Sequence, residues 1–368
     1  MKKGFVHKAG KGAFDYAGWP SIAKLEDGTL AAVFSGNRMH HVCPFGRSVV
    51  CYSKDEGKTW SKQTIVVNTD FDDRDAGIVV NGKQVLVSSF NNNYAFQRRD
   101  CNWKDDKNKN LINSYIDFME NVADEDDVGS SISVSEDGGY TFNTRYKIPI
   151  TCPHGPILLK DGRYFMVGRE FAINPLDRTK GKEYNFLPYG IYYMFSSDGY
   201  NWTKPVAIPL PDELMQDNAC EPHAVQLKNG EIMVHIRVQG GPNASMKGLR
   251  TFQTVSSKGI TEWSVAKDLG ILGSPPHLLR HSSGAIICCT GRRDAPYGEQ
   301  AMISYDEGET WTEPFYIDKD AENADLGYPC SAELSDGKII TIYYQHDNKG
   351  DKNSIMYTIW EVPEKQKK

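Results

Sequence analysis

The chain has 368 residues, 24% of them charged, with a formal net charge of −6. That length suits two average domains or one large all-β domain. The acidic balance argues against a nucleic-acid partner held by overall positive charge, although a local positive site is compatible with it. No run of about 18 apolar residues exists, so no transmembrane helix and no membrane partner are expected.

The chain begins MKKGFVHKAGKGAFDYAGW, with two lysines and no apolar segment behind them. Read as written, this is not a secretory signal, and the expectation is a cytoplasmic chain or one that has lost a leader. Next comes SIAKLEDGTLAAVF, an apolar run, a glycine turn and a second apolar run. Asp-Gly or Asn-Gly between such runs is the strongest short hairpin signal. A polar octet follows, SKDEGKTW at 53–60. The alternation then repeats along the chain. IVVNGKQVLVSSF precedes SEDGGYTF (135–142), and PILLKDGRYFMVG precedes SSDGYNW (196–202), one residue shorter. AVQLKNGEIMVHIR precedes a degraded copy, SSKGITEW (256–263), and HLLRHSSGAIICC precedes SYDEGETW (304–311). SAELSDGKIITIYY has no octet after it.

Each hairpin plus the strands flanking its octet makes four antiparallel strands. The fold class expected is therefore all-β, a six-bladed β-propeller of four-stranded antiparallel blades in a single domain over 1–368. In the last blade NSIMYTIWEV supplies a strand, and the N-terminal GFVHKA closes the ring and removes exposed sheet edges. Insertions near 91–127 and 174–188 are expected over a binding face, the first containing a short amphipathic helix in LINSYIDFMENV. The eight cysteines form no CxxC and read as buried free thiols, so neither a metal nor a cofactor is expected.

In the octet, Asp accepts turn amides, Gly permits positive φ and Trp packs between sheets. This is turn chemistry on one face of the ring. The starts of first strands and the ends of second strands lie on the other face. The starts are Gly18-Trp19-Pro20, Arg74-Asp75-Ala76, Pro153-His154-Gly155, Cys220-Glu221-Pro222-His223, Pro275-Pro276-His277 and Gly327-Tyr328-Pro329. The ends are Arg38, Asn91, Arg169-Glu170, Arg237, Arg292-Arg293 and Gln345. Guanidinium groups gathered round an axis need a counter-ion, and arginine binds carboxylates through two prongs, so the expected partner is an acidic sugar or glycan.

The octets resemble the Asp-box (BNR) repeats of the sialidase/neuraminidase superfamily, and the resemblance runs in blade order over essentially the whole chain. It implies a tyrosine nucleophile at Tyr328 in LGYPCSAELSDG, an assisting glutamate at Glu221 in ACEPHAVQLKNG and a carboxylate-binding arginine at Arg237 in MVHIR. Other positions depart. Gly18-Trp19-Pro20 stands where the family has its first triad arginine, and Glu299 and Gln300 stand near the third. The loop 39–47, MHHVCPFGR, has two histidines and no Asp where the family carries its acid/base. Asp75 is the expected acid/base, with His41 as its rival. Arg38, Arg74, Arg169 and Arg292 (or its neighbour Arg293) are expected to supply the missing charge. His154, His223, His277 and Trp19 are expected to line the substrate pocket. The function implied is an exo-glycoside hydrolase that releases sialic acid or a related acidic sugar. Two alternatives stay open, a lyase acting on uronic acids, in which His and Tyr move a proton while Arg neutralises the carboxylate, and a non-catalytic sugar-binding propeller.

Overall fold

The six hairpin turns form where the glycines place them. Gly28, Gly82, Gly162, Gly230, Gly284 and Gly337 take φ of +85°, +59°, +86°, +92°, +91° and +80°. At Gly28 and Gly337 an added Cβ would meet nothing within 4 Å, so the sign of φ, and not crowding, selects glycine there. The computed structural model describes residues 1–100, 107–170, 187–188, 190–212, 214, 218–239, 248–347 and 352–365, apart from the side chains of Arg99 and Asp100.

The strands form six four-stranded antiparallel sheets arranged as the blades of a propeller. Blade 1 comprises Tyr16–Lys24, Leu30–Arg38, Arg47–Ser53 and Thr64–Val67, and blade 2 Asp72–Asn81, Gln84–Asn92, Ser130–Ser135 and Thr144–Ile148. Blade 3 comprises Ile157–Leu158, Tyr164–Gly168, Ile191–Ser196 and Val206–Ile208, and blade 4 Ala219–Gln226, Ile232–Gln239, Leu249–Val255 and Lys267–Leu272. Blade 5 is Pro276–Arg280, Ile286–Arg292, Gly298–Ser304 and Phe315–Asp318. Blade 6 takes three strands from Gly327–Glu333, Ile339–His346 and Asn353–Trp360, and its fourth from Lys2–His7. Lys2 pairs with Ile359 and Phe5 with Met356, so the two ends of the described chain close one sheet.

Apolar faces of neighbouring blades form the core. Phe34 and Val49 of blade 1 pack with Ile342 and Ile355 of blade 6, and Phe165 and Tyr193 of blade 3 pack with Val234 and Phe252 of blade 4. Seven cysteines are free and buried, and Cys101 lies outside the described residues.

The octets are tied turns. In the first, Asp55 accepts from the Ser53 hydroxyl at 2.8 Å, the Thr59 amide at 2.8 Å and the Thr59 hydroxyl at 2.7 Å, while the Trp60 indole donates to the Gly57 carbonyl at 3.1 Å. Asp137, Asp198 and Asp306 repeat the arrangement with their own following Thr or Asn. The bonds from Thr59 pull the Asp55 carboxyl down to about 2.

The first insertion folds into helices α1 (Tyr94–Asp100) and α2 (Lys109–Met119). Ile112, Ile116 and Met119 of α2 are buried against Met39, Val42, Cys43 and Phe71, so the helix seats the loop that leaves blade 1. The second expected insertion, 174–188, lies outside the described residues except at Leu187 and Pro188. No helix among the described residues is long and apolar enough to cross a membrane.

Candidate active site

The first strands of blades 1, 2, 4 and 6 slip register near their starts, between Gly18 and Ser21, Arg74 and Gly77, Cys220 and His223, and Gly327 and Cys330. Inside each slip one large residue takes left-handed backbone: Trp19 (φ 54°), Asp75 (54°), Glu221 (45°) and Tyr328 (54°). Such conformations cost about 1–3 kcal/mol each and collect at functional sites. Their recurrence at one blade position places four chemically distinct side chains at one level of the ring.

Tyr328 and Glu221 meet there. The Tyr328 hydroxyl donates to Glu221 Oε1 at 2.6 Å. Arg237 Nη1 donates to Glu221 Oε2 and to the Tyr328 hydroxyl, the latter at 3.2 Å, while Nη2 reaches Gln239 at 3.0 Å. Burial, and next the charge of Glu221, push the Tyr328 phenol well above its ordinary value, while Arg237 opposes them. The pair is therefore a neutral phenol with its acceptor already in place.

Arg293 lies over the Tyr328 ring at 5.5 Å. It donates to the Leu326 carbonyl at 3.1 Å and to the Tyr344 hydroxyl at 3.2 Å, and it forms no ion pair among the described residues. A half-buried guanidinium with no carboxylate partner among the described residues is the strongest local sign of an anion site. Of the two alternatives, Arg293 and not Arg292 meets the Tyr328 ring. Adjacent residues at a strand end point to opposite sides. Arg292 turns outward, donates to the Asp294 carbonyl at 3.2 Å and lines a separate groove with Asp268, Gln300 and Trp311.

The expectation for Arg38 is corrected here. It grips Asp72 with both terminal nitrogens, at 2.5 and 3.0 Å, and donates to Ser35 Oγ at 2.8 Å and to the carbonyls of His40 and His41 at 3.3 and 2.8 Å. All five N–H groups of its fork are thus engaged, and none is left for a substrate. Arg74 stacks on Trp19 at 4.1 Å and reaches Asp75 Oδ1 at 3.3 Å and Asp72 Oδ2 at 3.6 Å. Burial raises the Asp75 carboxyl to about 6 although Arg74 opposes it. Arg169 sits at the seam of blades 3 and 4, bonded to the carbonyls of Ala219 at 3.1 Å and Glu170 at 3.4 Å.

His154, His223 and His277 do converge, with ring centroids 4.5–5.7 Å apart, and His154 stands 6.3 Å from Tyr328. All three are buried, as Tyr328 and Glu221 are, and His154 is set against the Tyr328 ring. His223 accepts the Leu278 amide at 2.9 Å, and burial holds each imidazole well below its ordinary range. Among the described residues no group of His, Cys, Asp or Glu has the arrangement to hold a metal.

Asp325, Tyr16 and Tyr344, which were not expected, join the expected His41 at the mouth. His41 Nδ1 is 2.9 Å from Asp325 Oδ1, and Tyr16 and Tyr344 also bond to that carboxylate. The His41 ring stands edge-on to Trp19 at 4.8 Å. Asp325 lies three residues before Tyr328 in ADLGYP, a position the hairpin spacing does not single out.

Glu299 occupies the departure near the third triad position. It is wholly buried, and neither carboxyl oxygen has a hydrogen-bond partner among the described residues. Burial first, then Asp318, raise its pKa well above the ordinary value. The stabilisation tied to its proton is present below the unfolded-chain pKa and is lost as pH rises through the folded value. Glu299→Gln is expected to melt progressively higher than the parent as pH is raised from about 5 to 8. Parallel melting curves across that range would show that the carboxyl is already ionised in the fold.

No protein-family profile matches the chain, and no curated protein is similar to it. Solved structures do resemble it. A protein of unknown function from Dyadobacter fermentans superposes with a TM-score of 0.72 at 20% identity, covering 99% of this chain and 98% of its own. The NanB sialidase of Streptococcus pneumoniae, in complex with a substituted ammonio-ethanesulfonate, gives 0.67 at 15% identity, covering 97% and 70%. A Trypanosoma rangeli sialidase in complex with the inhibitor DANA gives 0.57 at 14% identity, covering 94% and 55%. At these identities the likeness is one of fold, the six-bladed propeller that sialidases share.

Proposed function

We propose that the protein is an exo-acting glycoside hydrolase that releases sialic acid or a related acidic sugar, with Tyr328 as nucleophile and Glu221 as its base. The observation that carries this reading is the buried 2.6 Å Tyr328–Glu221 hydrogen bond beside Arg237 and an Arg293 with no ion pair among the described residues. A sugar whose anomeric carbon bears a carboxylate repels an anionic nucleophile. A phenol that surrenders its proton only as it attacks avoids that repulsion, which is why sialidases depart from the two-carboxylate rule. Arg237 is bonded to Glu221, so Arg293 takes the larger share of the substrate carboxylate and Arg237 steadies the base.

The test is product analysis by NMR with α-sialosides and with glycans containing uronic acid. Release of a saturated free sugar supports hydrolysis. An unsaturated, ultraviolet-absorbing product would assign elimination, and binding without any product would leave a sugar-binding propeller. Arg293→Met is expected to weaken binding of the free acidic sugar by about 10–100-fold, the worth of a charge-assisted hydrogen bond. Arg292→Met is the control and should leave affinity unchanged in the same titration.

A further inference from the structure

We infer that His41 exchanges the proton with the leaving-group oxygen in the hydrolysis proposed above, and that Asp325 is the residue that positions it. The inference rests on that hydrolase reading and on the geometry of the mouth. His41 Nδ1 lies 2.9 Å from Asp325 Oδ1. The carboxylate is itself fixed. The Tyr16 hydroxyl reaches its two oxygens at 3.1 and 3.0 Å, the Tyr344 hydroxyl reaches Oδ1 at 3.3 Å, and the Asn353 amide holds the Asp325 carbonyl at 3.1 Å. An imidazole oriented through Nδ1–H to a carboxylate presents Nε2, on the far edge of its ring, for proton exchange. No hydrogen bond reaches His41 Nε2 among the described residues. The loop that carries His41 is clamped from below by Arg38, which binds the carbonyls of His40 and His41. It is covered by α2 through Met39 and Val42.

Level in the site separates His41 from Asp75. Tyr328, Glu221 and Asp75 share one bulge position in their blades, so Asp75 stands on the nucleophile's side of a bound sugar. Its side chain is 3% exposed, and Arg74 occupies it. Nucleophile and leaving group lie on opposite sides of the anomeric carbon, and the proton donor must stand with the leaving group. The His41 side chain is 33% exposed and edge-on to Trp19 at 4.8 Å, so an aglycone can reach it. In the first step the Tyr328 oxygen bonds to the anomeric carbon as the bond to the aglycone breaks. The phenol proton passes to Glu221, and the Nε2 proton of the His41 imidazolium passes to the departing oxygen. In the second step water attacks the same carbon and returns a proton to Nε2, while Tyr328 leaves and takes its proton back from Glu221. The sum is hydrolysis, with every protein group restored.

The groups that face His41 are Asp325, Tyr16, Trp19, Arg74 and Arg293. Activity that needs the imidazolium falls as pH rises through its pKa. Burial, with Arg74 and Arg293, holds the His41 pKa below its ordinary value and Asp325 opposes that fall, so the alkaline limb lies on the acid side of an ordinary histidine's.

The experiment compares the parent, His41→Gln, Asp75→Asn and Asp325→Asn on an alkyl and a 4-nitrophenyl glycoside of the same acidic sugar. His41→Gln is expected to lose about 10²–10⁴-fold in kcat/KM on the alkyl glycoside, the usual contribution of general acid–base catalysis, but less than about tenfold on the aryl glycoside, whose leaving group needs no proton. Asp325→Asn keeps the loop and should move the alkaline limb of the kcat/KM profile to lower pH, a shift that a purely structural role would not produce. Asp75→Asn should affect both glycosides alike. Equal losses for His41→Gln on both substrates, an unmoved limb in Asp325→Asn, or leaving-group dependence in Asp75→Asn would overturn the assignment and leave the hydrolase reading standing. A parent that cleaves neither glycoside would overturn both.

Discussion

Tyr328→Phe is expected to abolish turnover while the acidic sugar still binds. The phenylalanine ring keeps the packing of the parent, 6.4 Å from Trp19, 5.9 Å from Tyr344 and under the Arg293 guanidinium at 5.5 Å. It loses only the hydroxyl, and Glu221 keeps its bond to Arg237, so no buried charge is stranded. The expected fall in kcat is on the order of 10⁴-fold, about 5.4 kcal/mol of transition-state stabilisation. Glu221→Gln leaves the nucleophile in place without a base, and a fall of about 10²–10⁴-fold is expected. Steady-state rates read the first quantity and calorimetric titration with the product sugar reads the second. Activity within about tenfold of the parent in Tyr328→Phe would place the nucleophile elsewhere, because a phenyl ring cannot form a glycosyl ether.

These residues were legible in the sequence for a local reason. Hairpin glycines and tied octets are short-range chemistry, so they mark blade boundaries without any knowledge of the third dimension, and counting from them reaches Trp19, Asp75, Glu221 and Tyr328 at equivalent positions. What the sequence hides is which charge answers which. Arg38 and Asp72 stand 34 residues apart and Arg237 and Glu221 stand 16 apart, yet Arg38 is consumed by the fold while Arg237 serves the site. Arg292 and Arg293 are neighbours whose roles are separated by the direction of one residue at a strand end, beyond the reach of a spacing argument. The three histidines lie near the starts of first strands, but only the closing of the ring shows that they face one another. Asp325 lies outside every repeat, and its partner His41 is 284 residues away. The signal available was an acidic residue just ahead of Gly327-Tyr328, and its meaning depends on a loop whose course is set by α2 and Arg38.

The Arg38–Asp72 pair is where the structure departs furthest from a reading of arginines as ligand contacts, and it carries the largest expected loss of stability. Both side chains are 0% exposed. Asp72 also accepts from the Cys43 amide at 3.4 Å and faces Arg74 at 3.6 Å, so it neutralises two guanidinium groups and ties down the loop after blade 1. An added Cβ at Gly46 would collide with Arg38 and Asp72, which shows how closely that loop is drawn onto the pair. Removing one partner from a buried ion pair leaves an uncompensated charge and costs about 3–5 kcal/mol, whereas replacing both by apolar residues of similar volume is often neutral. Asp72→Asn is therefore expected to be much less stable in urea than the double variant Arg38→Met with Asp72→Leu, in which the one remaining guanidinium, Arg74, keeps Asp75. The deficit should persist at high salt, because a buried pair is poorly screened. The double variant should also bind the acidic sugar with nearly the parent's affinity, in contrast to Arg293→Met. If Arg38 instead contacted substrate, the double variant would lose affinity as Arg293→Met does, and Asp72→Asn, which retains that arginine, would cost less than about 1 kcal/mol of stability.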